Sequence, residues 1–366
     1  MEEALERYAR SNASSKSHVV CRNEVLQSAN NQYVVIQFLG KGSFGQVVKC
    51  WKKETNEFYA VKILKDKFAE SKEARNEFNM LSRVNVDSKL YFVEVFECFQ
   101  YNQHTCIVTE LLEQSLFDFV KHQNFNPLPL SVVKIILRQL LLGLNVLKHL
   151  HIIHTDMKPE NIMLVNHAKE PYKVKIIDFG MAINVKDAVC NTYLQTRPFR
   201  APEVILGAPF SEAVDMWSLG CIAAELYLGS PLYPGLCSYD QIRFICDVQG
   251  LPPADLLSRG LNTVEFFRQE LNNGTSSWRL QTKQEYEKST SIEPKENRLF
   301  KFQSLDEIGE FRIREDITDD QWLVEAVERK RFVELLKQVL QMNPVSMTDR
   351  SISYNNSLSL QYYVYN

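Results

Sequence analysis

Two short runs carry residue types that could do chemistry together. His154-Thr155-Asp156-Met157-Lys158-Pro159-Glu160-Asn161 sets a carboxylate, an ammonium and an amide within six residues, and Ile176-Ile177-Asp178-Phe179-Gly180 adds a second carboxylate, Asp178, 17 residues after Asn161. Asp178 and Asn161 offer the hard oxygen donors that Mg2+ takes. Asp156 is placed to orient an attacking hydroxyl and accept its proton, and Lys158 supplies a cation near a transferring phosphoryl group. These are the parts that phosphoryl transfer from ATP requires. An Asp-Phe-Gly tripeptide alone is a common accident, so the weight rests on the order and spacing of all the motifs.

Upstream, Gly40-Lys41-Gly42-Ser43-Phe44-Gly45-Gln46-Val47 fits G-x-G-x-x-G-x-V. The same glycines open dinucleotide-binding folds, where the loop leads into a helix. Here QVVKCW follows, which reads as a strand, so the dinucleotide-binding oxidoreductase reading fails. The loop is then a hairpin tip able to lay backbone N–H groups over phosphates; a merely flexible turn is the bland alternative. Lys62 shares a strand face with Ala60 and Leu64, and Glu77 interrupts the apolar stripe of the next helix. An unpaired buried charge costs several kcal/mol, so pairing Lys62 with Glu77 resolves both, with Glu73 as rival partner and solvent exposure as the other way out.

The elements that must position these groups follow from periodicity. YVVIQFLG, QVVKCW and FYAVKIL are β-rich runs separated by turn residues and form an antiparallel meander. ESKEARNEFNMLSRV places Ala74, Glu77, Phe78 and Leu81 at helical spacing. Two more strand-like runs, FVEVFECFQ and TCIVTELL, precede LSVVKIILRQLLLGLNVLKHL, apolar almost all round and so a buried helix. SEAVDMWSLGCIAAELYLG is a second, with Ser211 as N-cap. Residues 252–320 read as polar and irregular, and WLVEAVERKRFVELLKQVL as a closing helix.

Composition narrows the classes. The 366 residues carry 42 Lys and Arg against 45 Asp and Glu, a net charge of −3, with 45% hydrophobic and 24% charged residues. No basic excess marks a nucleic-acid binder, so no direct nucleic-acid partner is expected. No membrane partner is expected either, since no apolar run nears the roughly 18 uncharged residues of a span. The first residues lack signal-peptide grammar. The eight cysteines show neither a C-x-x-C pair nor metal-ligand spacing, which fits reduced thiols in the nucleus or cytoplasm; the Asn-x-Ser/Thr triplets at Asn12, Asn273 and Asn355 are then chance.

In order, the chain resembles the protein kinases: G-x-G-x-x-G-x-V, A-x-K (Ala60, Lys62), H-x-D-x-K-x-x-N, D-F-G and A-P-E (Ala201, Pro202, Glu203), over about residues 20–350. The resemblance implies an α+β, two-lobed fold. Residues 19–112 would form a small β-rich N-lobe with one main helix, plus the hinge, and 113–350 a larger, mostly helical C-lobe. Polar tails would occupy 1–18 and 351–366. It implies ATP and Mg2+, with Gly40–Gly45, Val47, Ala60, Lys62 and Glu77 at the nucleotide and Thr109 as gatekeeper. Glu110 and Leu112 would be hinge contacts to adenine, Asp118 would reach the ribose, and Asn161 and Asp178 would hold the metal. Asp215 would brace the catalytic loop, and Glu203 would pair with Arg350.

Thr196-Arg197-x-x-Arg200-Ala201-Pro202-Glu203 and the insert at 252–320 are similar to the CMGC group. CNTYLQTRPFRAPEVILG, KPENIMLV and DMWSLGCIAAELYLGSPLYPG look like the homeodomain-interacting protein kinases. The dual-specificity tyrosine-regulated kinases are a more distant match, and the His-Thr-Asp triplet is similar to the SR-protein kinases. The resemblance implies a Ser/Thr kinase in which Thr196 marks hydroxyl specificity and Arg197 favours proline just after the target residue. It also implies autophosphorylation at Tyr193, read out by Arg197 and Arg200, and substrates among transcription factors and co-regulators. Thr155 replaces the common arginine, Pro198 and Phe199 replace two aromatics, and SISYNNSLSLQYYVYN does not resemble the closing helix. A kinase-fold binding or scaffold protein with little turnover is the competing class.

Overall fold

The computed structural model describes residues 20–42, 45–65, 72–272, 275–311 and 319–342. Ser43, Phe44, Arg350, both tails and the three Asn-x-Ser/Thr asparagines lie outside them. The chain forms two compact units. One runs up to Ser82 and takes in Val93–Leu111; the other holds Arg83–Phe92 and everything described from Leu112 on.

The first unit is built on a six-stranded antiparallel sheet: β1 (Val25–Gln27), β2 (Gln32–Lys41), β3 (Gly45–Lys52), β4 (Glu57–Leu64), β5 (Val95–Tyr101) and β6 (His104–Glu110), in the order β1-β2-β3-β4-β6-β5. The meander read from the sequence is β2-β3-β4. The three-residue β1 is too short for a periodicity signal. Register separates two faces, because directly paired residues point the same way. Val48, Val61 and Val108 lie in one row and join Tyr33, Val35 and Cys50 in a buried core. Val47, Lys62 and Ile107 form the adjacent row on the opposite face. Helix α1 (Lys72–Asp87) follows β4, and Met80, Leu81 and Val84 are buried on it.

The second unit is mostly helical. A two-residue strand β7 (Gln114–Ser115) leads into α2 (Leu116–His122) and α3 (Leu130–His149). Helix α3 buries one stripe, with Val133, Ile136, Leu137, Leu140 and Leu144 inside and Ile135 exposed, rather than its whole circumference. By length and a mean hydropathy of 1.8 it could cross a membrane, the one described helix that could. Its Lys134 instead forms an ion pair with Glu328 at 2.8 Å. Short strands β8 (Ile152–Ile153), β9 (Ile162–Leu164), β10 (Val174–Ile176) and β11 (Ile183–Asn184) frame the next loops, with β9 paired to β10 and β7, and β11 to β8. A single turn α4 (Pro202–Leu206) precedes α5 (Ala213–Leu228), which is buried along nearly its whole length. The N-cap position falls on Glu212, which makes no side-chain cap bond, while Ser211 Oγ accepts the Ala213 N–H at 3.3 Å, two residues on, as a capping hydroxyl does.

Residues 252–320 are far more regular than their polarity predicts. After α6 (Ser238–Gln249) come α7 (Ala254–Arg259), α8 (Thr263–Phe266), a hairpin of β12 (Phe267–Asn272) and β13 (Thr275–Leu280), α9 (Lys283–Thr290) and α10 (Asp306–Gly309). Thr282 and Glu285 form a capping box at the start of α9, and Tyr286 stacks on Tyr239 of α6 at 4.3 Å. Arg279 bridges Glu270 and Glu285 across the hairpin. Closer to α6, Arg243 and Arg298 lie over Phe244 at 4.5 and 4.3 Å and share Asp247 and Glu296. The closing helix α11 (Asp319–Val339) buries Phe332, Leu335 and Leu336.

Candidate active site

In the first unit, β2 and β3 meet at the glycine motif, and the Gly42 N–H donates to Gly45 O at 2.8 Å. A Cβ on Gly45 would stand 2.2 Å from Ile63 O, so this position admits only glycine, whereas a Cβ on Gly40 or Gly42 would meet nothing within 4 Å. The exposed Lys41 ends β2. Val47 sits opposite Lys62 in the ladder and Ala60 opposite Thr109, which gathers Val47, Ala60, Lys62 and Thr109 on one sheet face. There Lys62 Nζ meets Glu77 Oε1 at 2.7 Å, with the Glu77 side chain only 5% exposed. The buried charge is therefore paired with Glu77, while the side chain of the rival Glu73 lies outside those the structure describes. Glu110 spends its carboxylate on the Glu94 N–H at 2.7 Å, and its backbone N–H donates to Glu94 O.

In the second unit the catalytic run hangs from one carboxylate. Asp215, in the first turn of α5, accepts the His154 N–H through Oδ2 at 2.7 Å and the Thr155 N–H through Oδ1 at 2.9 Å. Burial pushes the Asp215 carboxyl above its ordinary range, while His154 and the two N–H donors pull it back. Thr155 turns the chain at φ +66°, an outlier for a β-branched residue of the kind that costs about 1–3 kcal/mol. The His154 ring engages Ile177 O at 2.9 Å and packs edge-on against Phe179, which in turn meets Phe92.

Asp156 lies at the centre of a polar knot. Its Oδ2 pairs with Lys158 Nζ at 2.6 Å, and its Oδ1 accepts the Thr196 hydroxyl at 2.7 Å, while Lys158 also donates to Thr196 Oγ1 at 3.1 Å. Asn161 Nδ2 donates to Asp156 O at 2.9 Å and to Oδ2 at 3.2 Å. The Ile177 N–H donates to Asn161 O at 2.9 Å, which fixes Asp178 beside this loop. With its nitrogen engaged, the atom Asn161 can offer a metal is its oxygen. No group of three His, Cys, Asp or Glu residues among those described could hold a metal ion. A pair of hard oxygens from Asn161 and Asp178 still fits Mg2+, which needs only one or two protein ligands when phosphates supply the rest.

Thr196 stands at the head of a loop whose most connected residue is Gln195, which the sequence reading passed over. Its buried amide Nε2 donates to Val214 O and Ser218 Oγ, each at 2.8 Å, and its Oε1 accepts the Ala201 N–H at 3.0 Å. A polar residue in a short irregular run has no periodicity to betray burial. Gln195 adopts φ +61°, and its carbonyl accepts Arg200 Nε at 3.3 Å and Nη2 at 2.8 Å. The Arg200 guanidinium also lies 4.1 Å over the ring of Tyr193, a residue 56% exposed. Arg197 Nη1 donates to Leu236 O at 2.6 Å. Glu203 is buried, with no partner for Oε2 among the described residues, and burial raises its carboxyl to about 7. Asp118 is exposed in the first turn of α2, where Ser115 Oγ donates to its carboxylate at 2.6 Å; Leu112 is buried.

The family model for the protein kinase domain matches residues 33–347. The chain is similar to homeodomain-interacting protein kinase 2 of Mus musculus, 48% identical over 329 residues, which are 89% of this chain and 28% of the relative. Homeodomain-interacting protein kinase 1 of Caenorhabditis elegans is 48% identical over 88% of the chain and 40% of the relative, and homeodomain-interacting protein kinase 4 of Homo sapiens is 41% identical over 86% and 53%. The chain thus spans between about a quarter and a half of the length of these curated relatives.

Proposed function

Because the chain belongs to the protein kinase family, we propose that it is an active Ser/Thr kinase that moves the γ-phosphoryl group of ATP to protein hydroxyls. The observation that carries this reading is the knot around Asp156. One carboxylate is aimed by Thr196, Lys158 and Asn161 together, which fixes its orientation as a catalytic base requires. Asp156 orients the acceptor hydroxyl and takes its proton as the new O–P bond forms and the bond from the γ-phosphorus to the bridging oxygen breaks, ADP leaving with that oxygen. Lys158 lies close enough to steady the transferred group's charge, and Lys62, aimed by Glu77, holds the ATP phosphates. Asn161 and Asp178 would hold Mg2+, which would supply charge neutralisation at the phosphates.

Proline-directed specificity is supported by Gln195. Its carbonyl is turned into the protein and occupied by Arg200, so it offers nothing to an N–H from the residue after the target, and proline has no N–H to satisfy. Tyr193 is the proposed autophosphorylation site: exposed, and already against Arg200. A phosphate there adds about −1.5 to −2 charges and three acceptor oxygens for Arg197 and Arg200. The relatives are named for interacting with homeodomain proteins; with the resemblance noted above, transcription factors and their co-regulators are the proposed substrates and the nucleus the proposed site of action. We assign residues 19–112 to the N-lobe and hinge and 113–350 to the C-lobe.

Incubation with labelled ATP, Mg2+ and a Ser/Thr-Pro peptide panel tests this, with Asp178→Asn as control. Label incorporation by the wild type alone, falling when proline is replaced, is the expected result. No incorporation by protein that still binds ATP leaves the binding or scaffold reading. Phosphopeptide mapping of protein made in bacteria, with kinetics of Tyr193→Phe, tests the autophosphorylation; an unmodified Tyr193 in active protein rules it out.

A further inference from the structure

We propose that Thr155 is a positioning residue whose hydroxyl replaces a missing rung of the β8–β11 ladder and so holds the segment behind Asp178 in place. The proposal rests on the kinase reading above. The ladder pairs Ile152 with Asn184 and Ile153 with Ile183. Two residues further along each strand, the register sets Thr155 opposite Met181. No backbone rung forms there, because the Thr155 N–H is committed to Asp215 Oδ1 at 2.9 Å and the chain turns at φ +66°. The side chain supplies the bond instead: Thr155 Oγ1 donates to Met181 O at 2.7 Å, and Thr155 is 0% exposed.

Met181 lies three residues after Asp178, so the bond closes the span between the ladder and the proposed metal ligand. On the far side, the Val185 N–H donates to His151 O at 3.0 Å, and Arg83 Nη1 donates to Asn184 Oδ1 at 2.7 Å. Ile177, on the near side of Asp178, is held by Asn161 O and the His154 ring, and of these fastenings beyond Asp178 the Thr155 bond is the nearest to it. It is neutral, so it needs no phosphate to form, and a buried neutral bond is not weakened by salt. A residue of easier conformation would suit the positive φ better; what threonine adds at this position is the donor.

Thr155→Val keeps the branched shape and the backbone bond to Asp215 but removes the donor, and Thr155→Ser keeps the donor. In the valine variant kcat is expected to fall about 10-fold, as for loss of one hydrogen bond, with KM for ATP and peptide within about twofold. Amide exchange over residues 181–184 is expected to accelerate by a similar factor while α11 is unaffected. Serine is expected to restore both readouts. Unchanged exchange in Thr155→Val overturns the proposal, as does faster exchange with unaltered kcat, a serine variant that behaves like valine, or acceleration that spreads to α11. If the wild type transfers no phosphate, the kinase reading fails, and the exchange comparison still decides whether the hydroxyl holds the segment.

Discussion

Replacing Glu225 by glutamine is expected to change how stability depends on pH. Glu225 sits on α5 at 8% exposure, its Oε2 has no hydrogen-bond partner among the described residues, and burial, with a smaller push from Glu160, raises its carboxyl from 4.5 to about 8. The folded protein therefore keeps a proton that the unfolded chain gives up near pH 4.5. Below that pH the raised value contributes its full stability. As pH rises, unfolding releases the proton and stability falls by about 1.4 kcal/mol per pH unit, levelling off above about pH 8, up to ~5 kcal/mol in all. Glutamine cannot ionise, so the difference between variant and wild type should grow with pH in the variant's favour, whatever constant cost the buried amide brings. Glu203, raised to about 7 by burial, adds slope of the same sign to both proteins and cancels. Urea unfolding followed by the fluorescence of the four tryptophans, Trp217 buried on the same helix among them, gives the difference at each pH from 5.5 to 8.5. A difference that stays constant to within about 0.5 kcal/mol over that range would refute a neutral Glu225, since a titration of this size must show in the slope.

Lys62→Met is expected to lower turnover by at least about 10²–10³-fold, the scale for removing one charge-stabilising donor, and turnover within tenfold of wild type would exclude the role. Taking the Lys62 ammonium from the buried Glu77 should also cost about 1–3 kcal/mol, which adding Glu77→Gln should recover in melting experiments without restoring activity. Thr196→Val removes the hydroxyl that Asp156 accepts, a hydrogen bond to a charged group worth about 1.5–3 kcal/mol, so kcat should drop roughly 10- to 150-fold while Thr196→Ser retains most of it; equal rates for the two variants would count against the knot. Thr109→Gly is expected to admit N6-bulky ATP analogues, checked by competition against labelled ATP, and no gain in their binding would show that the gatekeeper alignment is wrong.

The chemistry was legible because it is local. Asp156, Lys158 and Asn161 lie within six residues, and their order relative to Asp178 and Lys62 is a pattern that survives without any knowledge of packing. The Lys62–Glu77 pair could be inferred because two charges at core positions demand a resolution. The insert was not legible: α7, α8 and α10 span a turn or two each, below the length at which a 3.6-residue period can be counted. One signal there was overlooked, Thr282-x-x-Glu285, whose capping box starts α9. Gln195 escaped for another reason, as did what the Thr155 hydroxyl bonds. Both residues act through positive-φ backbone and bonds to residues 19 to 60 positions away, Val214 and Asp215 among them, and nothing in a linear sequence reports which carbonyl a side chain will meet.

The two charge clusters of the insert should part company as ionic strength rises. At molar salt the Debye length shrinks to about 3 Å, and the Arg279 bridge, more than a third exposed on both sides of its Glu285 pair, lies open to that screening. Arg243 and Arg298, at 8% and 6% exposure and flattened against Phe244, keep their charges under protein cover beside Glu296, and only the Asp247 they share, at 42% exposure, is open to ions. Concentrated brine would then loosen the hairpin while its root on α6 stays seated, so the distal part of the insert behaves as a salt-sensitive flap on a salt-resistant stem.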